Sequence, residues 1–311
     1  MKTDYKKLIS DFIPYIAVVV VIVFFAVVTD GKLLQADNMK NIINKIFSVM
    51  LISLGAMFIY AHGAMDLTIG GLLGNCALVG SLIILSTGSV LLALVCIVAL
   101  GVAIGIINGA LAANFKDLSF LPSLCLMFIL RGILQYMGNK GTIKIDASYG
   151  SYDNVGVKVL VIAIALILTY YLFDYTKLGK YNRAIGGNDI ASGQLGINVF
   201  KYKVLAYTLT GFAVSIAAFF SMVRSRSISA ETGSGLEFDV MVALIFGGMP
   251  LSGGSRARFH CAVLGCITAT VLSNGMTLWG IKSETISLIK GILFLMLVYL
   301  SYKKSKGVLP R

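Results

Sequence analysis

Residues 91–114 read LLALVCIVALGVAIGIINGALAAN, 24 positions without a charged side chain. About 20 mostly apolar residues suffice for one helix to cross the hydrocarbon core of a bilayer, so this stretch is predicted to be a membrane span. Outward from it the pattern recurs near 12–29, 46–62, 69–86, 121–137, 158–174, 203–223, 238–252, 259–279 and 285–302. Ten such spans account for most of the 311 residues. The longest polar intervals, about 138–157 and 175–202, are each shorter than the roughly 50 residues of an independent domain. The expectation is one all-α integral membrane domain over 1–311, with about ten transmembrane helices.

Composition agrees. Apolar residues make up 58% of the chain, with 33 glycines besides, and charged residues only 13%, against roughly 25% in soluble domains. A soluble enzyme, a disordered protein and a nucleic-acid-binding domain are excluded, and the partner solvent is the lipid bilayer. The net charge of +12 has no polar domain to display it and reads as an orientation signal. With the N-terminus placed in the cytoplasm, fifteen lysines and arginines fall inside and nine outside, while Asp30, Asp37, Asp146, Asp153, Glu231, Glu237, Asp239 and Glu284 all fall outside. That bias favours a multi-pass chain with both ends cytoplasmic, and an even number of spans requires the ends to share a side. Lys2, Lys6 and Lys7 before the first apolar run imitate a signal peptide. No good small-x-small cleavage site precedes Asp30, so a retained anchor is expected. Cys76, Cys96, Cys125, Cys261 and Cys266 all lie in apolar spans without metal-site spacing, and read as packing residues.

Two segments carry helix breakers at membrane depth, HGAMDLTIGG over 62–71 and GGMPLSGG over 247–254. Glycine costs roughly 1 kcal/mol in a helix interior and proline about 3, so both segments are expected to interrupt their helices. They are either cytoplasmic turns or irregular backbone lining a pathway, the only setting in which such backbone survives in a membrane. On the pathway reading the candidates are Asp66, Thr68, Gly70, Gly247, Gly248 and Ser252. The halves also echo each other: Asn108-Gly109 precedes Arg131-Gly132-Ile133-Leu134, and Asn274-Gly275 precedes Lys290-Gly291-Ile292-Leu293. Spans two to five and seven to ten would run in opposite directions, the pattern of two inverted-repeat halves, which adds Asn108 and Asn274 to the pathway set. Asp66, Arg131 and Lys290 fall at depth, where a charge costs about 3 kcal/mol. Arg131 therefore calls for a buried partner, with Asp66 a candidate, while Asp66 alternatively caps a helix start.

The interval around 175–202 is the longest of the inward loops. Asn188 is placed to cap a short helix over 189–195 whose end Gly196 marks. Two turns of polar helix are marginal in water, so this helix is expected either to dock on a soluble partner or to be a solvated connector.

From Thr176 to Ile197 the loop resembles the coupling loop of ATP-binding-cassette sugar importers of the ribose/galactose/xylose permease family, T-x-x-G-R-x-x-x-A-x-G-G-N-x-x-A-A-x-x-S-G-I. It matches at Thr176, Gly179, Ala184, Gly186, Gly187, Asn188, Ala191, Gly196 and Ile197, with Lys180, Ser192 and Leu195 as substitutions. Residues 62–70 resemble that family's G-G-I-D-L-S-V-G segment at Asp66, Leu67 and Gly70, and 247–254 its G-G-T-S-L-x-G-G segment. His62, Ala64 and Met249-Pro250 depart from the pattern. The resemblance runs from about 46 to 302 and implies a permease, not an enzyme, in the cytoplasmic (inner) membrane of a prokaryote. It implies three partners: a second permease copy (the same chain or a close paralogue), an extracytoplasmic solute-binding protein and a cytoplasmic ATPase. The ATPase would dock on Gly186, Gly187, Asn188, Asp189, Ala191, Ser192, Gly196 and Ile197. ATP would be used by that partner, and the chain itself has no G-x-x-x-x-G-K-[ST] phosphate loop and no expected cofactor. The implied cargo is a monosaccharide or similar small polar solute; an ion-coupled secondary transporter is the alternative.

Overall fold

A computed structural model describes residues 5–115, 120–138 and 141–301. Lys2, Lys116, Lys140, Lys303, Lys304, Lys306 and Arg311 of the orientation argument lie outside the described residues. The helices are α1 (Tyr5–Val28), α2 (Ala36–Ala61), α3 (Ile69–Thr87), α4 (Val90–Asn114), α5 (Phe120–Gly138), α6 (Val155–Tyr170), α7 (Lys177–Gly187), α8 (Asp189–Gln194), α9 (Val199–Ser225), α10 (Leu236–Phe246), α11 (Phe259–Leu278) and α12 (Ser283–Ser301). A π-turn, Tyr171–Tyr175, extends α6. The exception to all-helical structure is a two-residue antiparallel ladder of β1 (Ile143–Lys144) on β2 (Ser227–Ile228), pairing Ile143 with Ile228.

Side chains at the breaks explain where helices begin. Ser89 Oγ accepts from Leu92 N at 3.3 Å to start α4, directly after Gly88 ends α3 at φ 67°. Asn154 starts α6 by accepting from Gly156 N at 2.7 Å, and Asn198 starts α9 by accepting from Lys201 N at 2.9 Å. Such caps supply the acceptors that the first turn of a helix lacks.

Nine of the ten expected segments coincide with a helix along most of their length, and the tenth, 238–252, does so only in part. Among the described residues seven are long and apolar enough to cross a membrane: α2, α3, α4, α5, α6 with its π-turn, α9 and α11. The segment 238–252 is corrected. It is the 11-residue α10, which stops at Phe246 and at 1.5 Å per residue reaches only about 16 Å, half the hydrocarbon core.

Helix pairing repeats between the halves when α2, α3, α4 and α5 are exchanged for α9, α10, α11 and α12. The packed pairs α3–α4, α3–α5, α4–α5, α4–α9 and α3–α9 have the counterparts α10–α11, α10–α12, α11–α12, α11–α2 and α10–α2, and α2 packs directly on α9. The two-half architecture is thus present in the packing as well as in the sequence echoes.

The tightest seam joins α4 to α9. Gly101, Gly105 and Gly109 lie four apart on α4, where an added Cβ would come 2.6 Å from Gly211 O, 2.7 Å from Tyr207 O and 2.8 Å from Val204 Cα. Small residues at this spacing let two backbones approach without hydrophobic driving force between helices. Cys76, Cys261 and Cys266 are buried packing residues as expected, whereas Cys125 is exposed on α5. Lys158, counted among the outer lysines, is 1% exposed. Its ammonium is bound by Asp153 and Asn44 Oδ1 and lies 5.8 Å from the Phe47 ring and 5.9 Å from that of Phe220, fastening α6 to α2 and α9.

Candidate coupling and gating site

The 175–202 interval, expected as a coupling lever from its resemblance, folds into two capped helices, α7 and α8. Thr176 caps α7 by accepting from Leu178 N at 3.2 Å. Asn188 Oδ1 caps α8 by accepting from Ala191 N at 2.9 Å, and Ser192 Oγ donates to Asn188 O at 2.8 Å. Gly196, at φ 81°, closes the helix as Ile197 N donates to Ser192 O at 3.1 Å. Both ends of the short helix were therefore legible, one residue aside. Arg183 anchors the base of the lever: it donates to Asp174 Oδ1 at 3.1 Å and Phe173 O at 3.0 Å, and its guanidinium lies 4.8 Å from the Phe173 ring. Asp189 on α8 meets Lys203 on α9 at 3.7 Å. From this base project Ile190 on α8 and Leu195 just after it, 69% and 82% exposed.

The lever's other face meets both helix breaks at one junction. A Cβ on Gly186 would come 2.5 Å from Gly254 N and 3.0 Å from His62 Cα, and nearer still to Ala61 O. Gly254 N donates to Ala61 O at 2.9 Å, and Gly63, at φ 80°, lies against Ser252 O. Gly247 packs on the backbone of Cys261, and Gly248 turns at φ 86°. The segments 62–63 and 252–254, 190 residues apart in sequence, thus touch each other and the end of α7. Gly187 has nothing within 4 Å of its Cβ direction: adjacent glycines do different things.

Beyond the junction the chain runs without regular structure to a buried polar network. Asp66 Oδ1 accepts from Thr68 N at 2.9 Å, Thr68 Oγ at 2.6 Å and Asn108 Nδ2 at 3.0 Å. Ser123 Oγ donates to Asn108 Oδ1 at 2.9 Å. All four residues are at most 5% exposed. Asp66 is therefore bonded to Thr68, the residue before α3, and tied across to α4 and through Asn108 to α5; it neither caps a helix start, since no side chain caps α3, nor pairs with Arg131, and both expectations are corrected.

Arg131 does have a buried partner. It donates to Thr232 O at 3.0 Å and Gly233 O at 2.7 Å, and lies 3.8 Å from Glu237. Glu237, expected in an outer loop, is 6% exposed at the start of α10. Gly70 is the floor beneath this pair, with no room for a Cβ beside Glu237 Oε2 and Gly233 O. Lys290 binds Asp239, another expected loop acid, at 2.7 Å. Asn274 stands apart: it donates to Asn38 Oδ1 at 2.9 Å, in the first turn of α2, whereas Asp66 follows that helix's last turn. The candidate set thus divides into a junction (Gly186, Ser252), the end of α10 packed on α11 (Gly247, Gly248), a polar network (Asp66, Thr68, Asn108), a charged pair beside Gly70, and a remote Asn274. Sequence reading missed Asn182, Ser123, Glu237 and Asp239, because their partners lie between 15 and 120 residues away.

Two helical halves with matching packing, helices broken at one junction, and buried polar groups fixed around the breaks describe a polytopic membrane transporter. Comparison with known proteins specifies the family. The family described as branched-chain amino acid transport system / permease component matches residues 38–298, and the chain belongs to it: it is a multi-pass transport permease and not an enzyme. It is 28% identical to the ribose import permease protein RbsC of Escherichia coli (strain K12) over 278 residues, 86% of each chain. The same identity to the RbsC protein of Bacillus subtilis (strain 168) extends over 319 aligned positions, 98% of each chain. Identity to the xylose transport system permease protein XylH of Haemophilus influenzae is 25% over 363 positions, 95% of this chain and 96% of that one. These relatives bear out the resemblance to ATP-binding-cassette sugar permeases. No solved structure matches the chain.

Proposed function

We propose that this chain is the permease subunit of an ATP-binding-cassette importer that moves a monosaccharide or similar small polar solute into a prokaryotic cell. A separate cytoplasmic ATPase drives it from α7–α8. An extracytoplasmic solute-binding protein delivers the solute at the opposite end, and a second permease copy completes the pore. Both termini then lie in the cytoplasm, with Lys177, Lys180, Arg183, Lys201, Lys203, Arg256 and Arg258 on the lever's side.

The observation that carries this reading is the exposure of Ile190 on α8 and Leu195 at its C-terminal end, in a polar interval, on a base fixed by Arg183 and Asp189. Fully burying one such side chain contributes about 1.5–3 kcal/mol, so a soluble partner gains by covering both. The ion-coupled alternative needs a carboxylate at depth free to take up its ion. Asp66 instead accepts three hydrogen bonds on one oxygen, and Glu237 faces a guanidinium. The names of the relatives support sugars as the first cargo to test.

The test is uptake of labelled D-ribose, D-xylose and L-arabinose into vesicles holding the chain with its cognate ATPase and binding protein. ATP-dependent uptake indifferent to proton and sodium ionophores is expected. Gradient-driven uptake without ATP overturns the proposal.

A further inference from the structure

His62, with Ala64, is where this chain departs from the glycine-rich approach to Asp66, and the structure gives His62 a partner. Its Nδ1 lies 3.0 Å from Asn182 Oδ1, across 120 residues. The amide of Asn182 donates through Nδ2 to Leu178 O at 3.0 Å, so Oδ1 is the acceptor and Nδ1 of His62 carries the proton. Both residues are buried, Asn182 completely. The imidazole lies 6.1 Å from the Tyr207 ring, and Tyr207 donates its hydroxyl to Met65 O at 3.2 Å. Its Nε2 is buried without a hydrogen-bond partner among the described residues; the imidazole is also hydrogen-bonded to the backbone of Phe58, one turn earlier on α2, so the Asn182 bond is the polar contact that crosses to α7.

We infer that His62 and Asn182 form a latch that ties the coupling lever to the segment entering the transport core, and that His62 is a positioning residue for 63–68. On one side of the bond is α7, held to the π-turn by Arg183. On the other is the irregular chain 63–68, whose far half holds Asp66 and Thr68. A displacement of α7 pulls on the end of α2 through this bond as well as through the Gly186 contact. The pair therefore sets where the Asp66–Asn108 network stands as the lever moves. Its use as a transmission element rests on the proposed coupling function; the bond's effect on the two segments does not.

The geometry dictates the substitutions. Asparagine at 62 places an N–H donor where Nδ1 now is, whereas glutamine places its donor at the position of Nε2. Hydrogen exchange on the purified full-length chain reads the result. In His62→Gln, amides of 63–68 and of 177–187 are expected to exchange together about tenfold faster, the loss of one buried hydrogen bond. In His62→Asn both segments are expected to stay near wild type. Exchange in His62→Gln at the wild-type rate, or His62→Asn as fast as His62→Gln, overturns the latch.

Adding the cognate ATPase with a non-hydrolysable ATP analogue extends the measurement. Protection is expected to reach 63–68 in wild type and His62→Asn, but to stop at 186–195 in His62→Gln. Equal protection of 63–68 in all three overturns transmission through this bond. Failure of any variant to bind the ATPase overturns the coupling function itself, and the exchange rates of the chain alone still decide the latch.

Discussion

Gly186 and Gly187 are neighbours in a motif, and the structure assigns them opposite tolerances. At Gly186 an added Cβ meets backbone on every side: 2.5 Å from Gly254 N, 3.0 Å from His62 Cα, and closer to Ala61 O. Ordinary contact begins at 3.4 Å, so Gly186→Ala requires α7 to retreat from the junction by at least about 0.9 Å. None of the three obstacles is a side chain that can rotate away. Overpacking of this kind costs about 1–3 kcal/mol, and the retreat also strains the His62–Asn182 contact that crosses from α7 to the end of α2. At Gly187 the Cβ meets nothing, and alanine in a helix is favoured over glycine by up to about 1 kcal/mol. The assay is thermal unfolding of each purified variant in mild detergent, beside ATPase activity per solute moved in vesicles. Gly186→Ala is expected to melt a few degrees lower and to hydrolyse ATP with reduced transport; Gly187→Ala is expected to match or exceed wild type in stability. Equal behaviour of the two variants would refute the junction as the place where lever and core meet.

Three further outcomes follow from the same packing. Asn108→Ala strands Asp66 and Ser123 of the buried network and is expected to lower stability by about 1–3 kcal/mol, read as a lower melting temperature with unchanged insertion. Arg131→Leu leaves Glu237 buried without its cation and is expected to cost about 3–5 kcal/mol; Arg131→Leu combined with Glu237→Leu should recover most of that loss, measured in the same melts. Asn188→Pro removes the Asn188 N to Ala184 O bond and imposes proline's φ where the chain holds −167°. It should abolish transport while the chain still inserts, as shown by membrane fractionation and uptake.

Much of the architecture was legible because bilayers impose a one-dimensional rule: long apolar runs become helices. Helices at nine of the ten segments and the caps at Asn188 and Gly196 followed from local sequence, and so did the repetition between halves. What local sequence could not give was depth and pairing. Glu237 and Asp239 read as loop acids because they precede an apolar run, yet Arg131 and Lys290 draw them into the bundle. The segment 238–252 read as a span because composition does not register that Gly247 packs on the backbone of Cys261 and ends the helix early. The two breaker motifs suggested separate features; only the fold brings 62–63 against 252–254 and both against Gly186. Asn274 and Asn108, similar in their sequence setting, bind different partners in different parts of the bundle.

The most direct test of the central claim, that α8 is the surface on which an ATPase drives this permease, is co-purification of the tagged chain from native membranes. Wild type is compared with an Ile190→Asp and Leu195→Asp double variant. Both side chains are exposed, and such surface substitutions usually change stability by no more than about 0.5 kcal/mol, so the variant should fold and insert as wild type does. The account predicts an ATPase that accompanies wild type and is depleted at least tenfold from the variant. Equal ATPase on both, or none on either in the presence of nucleotide, would contradict it.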